Sequence, residues 1–397
     1  MYTSWYPEGM HLSQSHLILS KPGTAGIYYL IHSTLDNPAS PPAPNSAYSL
    51  YLTTVDMALD GSLGGVISKN EVILQDTLNT GKITAVRHAN GRDWWVLCHK
   101  WGTTLYYRLL VTPQGVAVDG TQSIGIMRSV DAGQVCFSPQ GDRFAYYYPG
   151  PRGLEVFDFD RCTGLLSNPV QVPTVSTGAA AGVAFSPNGR FVYVSSSPNV
   201  YQFDTEAPDI AASQVLVAEW DGFYSPSPPF ATLFDIAQLA PDGKIYIATG
   251  NGTLHLHVIH DPDQPGLACN LEQHGVELPR YFMNSLPNHP NYHLGALSGT
   301  VCDSLGLSVG LTDPSAALRV TVRPNPSTGA FTLSYPVQGT AGQLDVLDAA
   351  GRVVHRAYLA PWSQLHHLEL HQPPGLYHCR LRWSNRVLST RVMIVEP

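Results

Sequence analysis

The stretch Val135-Cys-Phe-Ser-Pro-Gln-Gly141, running on into Arg143-Phe-Ala-Tyr-Tyr-Tyr148, decides the fold because it recurs. Val183-Ala-Phe-Ser-Pro-Asn-Gly189 leads into Arg190-Phe-Val-Tyr-Val-Ser195, and Ala237-Gln-Leu-Ala-Pro-Asp-Gly243 into Lys244-Ile-Tyr-Ile-Ala248. A weaker copy, Val86-Arg-His-Ala-Asn-Gly91, precedes Asp93-Trp-Trp-Val-Leu97. The turn glycines at 91, 141, 189 and 243 are therefore spaced by 50, 48 and 54 residues. The turn chemistry explains the pattern: in the three stronger copies proline fixes φ at the start, Asn or Asp tolerates the bend in all but the Gln140 copy, and glycine accepts positive φ in all four. Each repeat has room for about four strands of ordinary length. A repeat of that size predicts the blades of a β-propeller packed around an axis.

Working outward, five blade-like units cover roughly 12–76, 82–123, 133–173, 181–219 and 234–279, the first carrying a Pro-rich loop at 37–45. Long amphipathic helices are missing from the connections, which disfavours a parallel α/β sheet. The expected organisation is a propeller over 1–294, a linker over 295–318, and a strand-rich unit over 319–397. In that last unit, alternating Leu, Val and Tyr predict strands at 331–335, 343–347, 353–359, 367–370, 375–383 and 387–395, enough for a small immunoglobulin-like sandwich. Overall the chain is expected to be all-β.

Composition agrees with that class. Of 397 residues 44% are hydrophobic and only 13% charged, while 20 Tyr, 12 Phe and 7 Trp favour strands. The charge is split: 1–314 hold 14 Lys and Arg against 26 acids, whereas 315–397 hold 8 Arg and 4 acids. The change of sign marks a boundary. An acidic body argues against nucleic acid as a partner. No run of 18 apolar residues predicts a membrane span. Six cysteines show no CxxC spacing, so no metal cluster is expected; Cys269 and Cys302 are placed to pair in an oxidising compartment, and the others read as buried thiols. The first residues, Met1-Tyr-Thr-Ser-Trp-Tyr-Pro7, have neither the basic nor the apolar segment of a signal peptide.

The last unit resembles the type A sorting domain of the type IX secretion system. The resemblance is carried by Arg323-Pro324-Asn325-Pro326, by Leu344-Asp-Val-Leu-Asp-Ala-Ala-Gly351-Arg352-Val353-Val354, by Gly375-Leu-Tyr377, and by Arg391-Val-Met-Ile-Val395. It implies that these residues form a signal read by the outer-membrane translocon, and that the protein is extracellular or surface-bound. The first domain resembles propellers of the same class of secreted bacterial proteins through Ala85–Trp95, Phe157–Gly164, Gln238–Tyr246 and Val258–Asn270. Members of that class begin with a signal peptide and a further blade, so an N-terminally truncated reading is expected here.

Motifs of catalysis are absent: no GxSxG, HExxH or P-loop occurs. Asp261, Asp263 and Glu272 match three positions of a calcium loop, but Pro265 stands where an oxygen ligand is needed, and a polar turn is the better reading. His255 and His257 share a strand face with His260 close by, and His289 and His293 form a second group; solvent-facing strand residues account for the first. Asp158 and Asp160 share a face opposite Phe157 and Phe159, where Arg161 could neutralise them. Of the adjacent Trp94 and Trp95 at least one is expected in the core. The expected function is a non-catalytic propeller without cofactors, exported by the type IX translocon to bind an extracellular polymer or protein. The alternative is a secreted hydrolase, lyase or lactonase.

Overall fold

The computed structural model describes residues 13–33, 47–128, 133–150, 153–174, 181–282, 286–303 and 319–396. The Pro-rich stretch 37–45 and residues 304–318 of the expected linker lie outside them. The repeat becomes five four-stranded antiparallel sheets, each a simple meander. The first holds β1 (His16–Ser20), β2 (Ile27–Ser33), β3 (Ala47–Asp56) and β4 (Gly65–Leu78). The second holds β5 (Thr84–Arg87), β6 (Trp94–His99), β7 (Thr103–Thr112) and β8 (Gly115–Arg128). The third holds β9 (Gln134–Phe137), β10 (Arg143–Tyr147), β11 (Leu154–Asp160) and β12 (Leu165–Val172). The fourth holds β13 (Gly182–Phe185), β14 (Phe191–Ser196), β15 (Asn199–Asp204) and β16 (Val215–Glu219). The fifth holds β17 (Ala237–Leu239), β18 (Ile245–Ile247), β19 (Thr253–Ile259) and β20 (Leu271–Phe282).

Alternation along each strand gives every sheet two apolar faces, and neighbouring sheets share cores. Leu17, Ile31 and Leu50 pack with Trp94, Val96 and Leu109 between the first and second sheets. Trp95, Leu97 and Tyr106 pack with Phe144, Phe157 and Phe159 between the second and third. Leu154 and Val156 meet Phe185 and Val194 between the third and fourth, and Tyr193 and Val200 meet Ile245 and Ile259 between the fourth and fifth. Both tryptophans are therefore core residues, on opposite faces of β6. The inner strands touch in succession, β5 with β9, β9 with β13 and β13 with β17, so the arrangement is propeller-like.

Two glutamines fasten the inner strands where backbones are too far apart to pair. Gln134 donates to the Ala237 carbonyl (2.6 Å), and its Oε1 accepts from the Val183 and Ala237 amides. Gln14 makes the same exchange with both backbone groups of Val135 at 2.7 and 2.9 Å. The chain after β20 then crosses back toward the start. Leu286 packs on Ile236, Ala248 and Leu256, and Asn288 Nδ2 donates to the His16 and Ile83 carbonyls, both at 2.9 Å.

The expected Cys269–Cys302 pair is corrected by the structure: Cys162 is bonded to Cys302, and Cys269 is a buried thiol beside Tyr193. The reason lies in the path of 295–303. Leu297 N bonds to the Ala89 carbonyl, and this brings Cys302 to the β11–β12 turn rather than to the fifth sheet. Those residues, read as linker, are thus fastened to the second and third sheets.

In the C-terminal unit, β21 (Thr321–Arg323), β22 (Ala330–Ser334) and β25 (Leu365–Glu369) form one sheet. A second has the order β24 (Val353–Leu359), β23 (Gly342–Leu347), β26 (Gly375–Trp383), β27 (Arg386–Ile394). Phe331, Leu333 and Leu368 of the first share a core with Leu344, Val346, Leu381 and Val392 of the second. The six predicted strands are all present; β21 was not anticipated.

Candidate functional site

The turn ends of the inner strands converge on an axial cavity of about 130 Å³. Val86, Val135, Ser138, Pro139, Gln238 and Pro241 supply the strand side, so two of the turn prolines that define the repeat sit at its mouth. Asn288, His289, Asn291, Tyr292 and His293 supply another wall, and Trp362 with Gln364 from the β24–β25 loop supply a third. The wall is built by backbone capture: Asn291 Nδ2 donates to the Pro139 carbonyl (2.8 Å), its Oδ1 accepts from His293 N, and Tyr292 OH donates to the Ile18 carbonyl (2.7 Å).

Among the described residues lining it, none carries a fixed charge. Burial pushes the His289 imidazole below its ordinary value; burial and the Arg87 guanidinium do the same to His293. Both rings are therefore neutral at pH 7, able to accept a proton or donate one from the ring N–H. Arg87 itself is turned aside, its guanidinium 3.7 Å from the centre of the Trp94 ring. Amides, imidazoles and aromatic rings without charge suit a neutral, hydroxyl-bearing ligand.

A second polar cluster lies on the edge of the fifth sheet. Ser225 Oγ and His255 Nδ1 are 2.6 Å apart, and Asp221 Oδ2 is 2.9 Å from His274 Nε2. Phe223 stacks on His274 with centroids 4.2 Å apart, and His274 N donates to His257 Nδ1. Nucleophilic catalysis needs one relay of hydroxyl, imidazole and carboxylate. Here the carboxylate orients a different imidazole from the one the serine meets, and Ser225 is almost fully buried. The cluster reads as a fastening of the 220–232 loop.

The other sequence candidates separate. His257, expected to face solvent, is fully buried against Phe234; a register shift between Leu256 and Val258 turns β19 inward there. His260 is 2.7 Å from Glu272, Asp261 accepts from Asn270, and Asp263 accepts from Asn188 N and Tyr358 OH, so the three carboxylates face different partners. Asp158 and Asp160 are exposed, Asp158 bonded to Asn168 and Asp160 closing the turn at Cys162 N and Thr163. Arg161 does not neutralise them: it is buried and donates to the carbonyls of Arg87, His88 and Gly295. Only His289 and His293 reach the cavity. Gln14, Asn288, Tyr292 and Trp362 escaped notice as site residues, the one available signal being polar and aromatic residues in an otherwise strand-free stretch, 286–294.

In the C-terminal unit, Asn325 clips the motif to the last strand, its Oδ1 accepting from Met393 N (3.0 Å) and its Nδ2 donating to the Arg391 carbonyl (3.1 Å). Pro324 and Pro326 flank it. Gly351 and Arg352 close the β23–β24 turn around Asp348, Val353 starts β24 exposed, Gly375 starts β26, and the buried Tyr377 donates to the Pro373 carbonyl.

A family model described as a secretion system C-terminal sorting domain matches residues 321–396. The chain is therefore a secreted protein sorted by the type IX route; the match concerns the C-terminal unit alone. No curated protein matches. Among solved structures, the chain is similar to a putative 6-phosphogluconolactonase of Bacteroides uniformis at 13% identity and a TM-score of 0.41, covering 69% of this chain and 88% of that one. It is similar to a periplasmic gluconolactonase of Pseudomonas aeruginosa at 14% identity and a TM-score of 0.41, over 91% and 90%. An exo-β-1,3-galactanase of Phanerochaete chrysosporium shares 8% identity at a TM-score of 0.37, over 98% and 91%. Those activities belong to the named proteins. The expectation of a chain that is no enzyme is corrected to this extent: lactonases are among the similar structures, and at this distance their activity remains their own. Among the described residues no helix is long and apolar enough to cross a membrane.

Proposed function

We propose that this protein is a type IX cargo whose five sheets are the blades of a propeller over 1–294, joined through 295–318 to an immunoglobulin-like sorting domain over 319–397, and that the propeller takes a neutral, hydroxyl-rich extracellular ligand of the glycan class in its axial cavity. One observation carries the ligand class: among the described residues the polar groups of the cavity wall are amides, hydroxyls and imidazoles set between aromatic and aliphatic side chains, without a carboxylate, ammonium or guanidinium. A charged ligand would be desolvated there with no counter-charge, at a cost of several kcal/mol. Pro324, Asn325, Pro326, Gly351, Arg352, Val353, Gly375 and Tyr377 act as the signal engaged by the translocon, a role supported by the family match over the same segment.

Calorimetric titration of the full-length Trp362→Gly chain, which lacks the indole wall of the cavity, with neutral mono- and disaccharides, and with uronic acids of the same size, tests the ligand class. Neutral sugars bind, uronic acids bind at least about tenfold more weakly, and Asn291→Ala, which releases the 288–293 wall from Pro139 and His293, lowers the affinity for the neutral set by about tenfold. Preference for the uronic acids, or indifference to Asn291→Ala, overturns the proposal. A second reading, turnover of the ligand, is favoured by the neutral His289 in the wall, a proton acceptor at pH 7. Product release abolished by His289→Ala supports it.

A further inference from the structure

The loop between β24 and β25 is built unlike an ordinary surface turn. Trp362 stands at φ 63°, in the left-handed region that a bulky side chain rarely adopts. The strain is held by Trp362 N donating to the Gln338 carbonyl (2.7 Å) and by Ser363 N donating to the Ala360 carbonyl. What this conformation achieves is to aim the indole at the propeller, where it packs with the core cluster of Val86, Val135, Phe144 and Leu294 and walls the axial cavity. Its Nε1 is buried there without a hydrogen-bond partner. A tryptophan serving only its own domain needs neither the strained backbone nor the orphaned N–H.

The contact around it is thin. Gln364 N donates to the Pro241 carbonyl (2.8 Å), Tyr358 OH donates to Asp263 (3.0 Å), and Ala360 lies against the Gly243 turn. Directly beside these bonds a second cavity of about 470 Å³, lined by Asp242, Lys244, His260, Asp263, Glu272 and His366, separates the two units. A polar gap of that size beside a few bonds is the anatomy of contacts that part, not of a fused core. With the loop in place the axial cavity holds about 130 Å³, well under the roughly 300–1,000 Å³ of ordinary ligand clefts.

We propose that Ala360–Gln364 is a lid: the sorting unit shields the axial cavity while it is attached to the propeller face, and the cavity admits the end of a longer neutral chain only when that unit has swung or been taken away. The ligand class rests on the function proposed above; the shielding does not, and the test separates them. In the full chain, Trp362→Gly removes the indole and puts at φ 63° the residue that tolerates it, so the domain keeps its fold. Diethyl pyrocarbonate labelling read by mass spectrometry should show His289 at least about tenfold more reactive than in the parent chain, with His274 on the far edge unchanged as the control. Gly243→Ala gives a second opening from the propeller side, because the added Cβ would stand 2.5 Å from that of Ala360. Equal His289 reactivity in the parent and in both variants overturns the lid. Raised reactivity together with new binding of a neutral oligosaccharide supports lid and ligand; raised reactivity with no such binding supports the lid and overturns the glycan reading.

Discussion

At the scale of single residues, the charge that most needs its partner is Arg128. Its side chain and that of Glu155 are each 2% exposed, and the two are 2.9 Å apart between the second and third sheets. The guanidinium also lies over the Tyr146 ring at 4.5 Å, while its Nε and Nη1 have no hydrogen-bond partner. Glu155 is thus the group that compensates this buried cation. Replacing it by Gln keeps the shape and deletes the charge, and a buried pair broken on one side costs about 3–5 kcal/mol. Urea unfolding of Glu155→Gln should show that loss as a lower midpoint at unchanged slope; a change below about 1 kcal/mol would mean the cation is compensated elsewhere. The contrast with Asp345 is instructive. That carboxylate is fully buried but meets Arg356, Arg380 and Arg382, all at least 40% exposed. Burial raises its pKa, and the hydrogen bonds from Arg356 and Arg380 with the Arg382 charge bring it below the ordinary value. The Arg128–Glu155 pair was not legible in the sequence, because its partners stand 27 residues apart in different sheets, and Arg380 and Arg382 reach Asp345 from 35 and 37 residues away on a paired strand.

At the scale of strands, three histidines are set into sheets as neutral rings. Burial, with the nearby charges of Arg128 and Lys82, holds His99 on β6 at about 3. Burial holds His257 on β19 at about 4, with His274 lowering and Asp221 raising it, and holds His366 on β25 at about 4 beside His355 and Lys244. An unfolded histidine titrates near 6.5. Between that value and the folded one the unfolded chain binds the extra proton, so stability is complete above about pH 6.5 and is lost as pH falls toward 4. The melting temperature should therefore drop on acidification across this window. His257→Asn retains an acceptor for His274 N and removes one titration, and should flatten the slope by up to about 1.4 kcal/mol per pH unit. An unchanged slope would place the acid sensitivity elsewhere. The strands themselves could be read from the sequence because alternation and turn chemistry are local. Which face of β19 turns inward could not, since the shift between Leu256 and Val258 is imposed by β20.

At the scale of the whole molecule, the signal that carried over from sequence to structure is the repeat. The recurring turn glycines mark the first hairpin of four of the five sheets, and neighbouring sheets bury apolar faces against each other in four shared cores. The axial cavity was hidden because its wall is assembled from three parts of the chain, the turn ends, residues 288–293 and the Trp362 loop, none of which has a motif. The C-terminal unit has a job that its own core does not explain. It is clipped end to end by Asn325 against Met393 and Arg391, and by the Ser327 and Val395 backbones, so that the first and last residues of the signal are presented side by side. A signal read as a shape needs both. In the native host, deletion of 319–397 should leave the protein inside the outer membrane while the full chain reaches the surface or the medium, as fractionation and immunoblotting will show. Asn325→Ala, which unclips one end and leaves the unit's core of Phe331, Leu344 and Val392 intact, should reduce export by more than it lowers the melting temperature of the purified chain. Export of the deleted chain at the parent level would break the sorting assignment. Full export of Asn325→Ala would move the recognised surface away from the paired ends, with the exposed Arg356, Arg380 and Arg382 face of the second sheet the next to substitute.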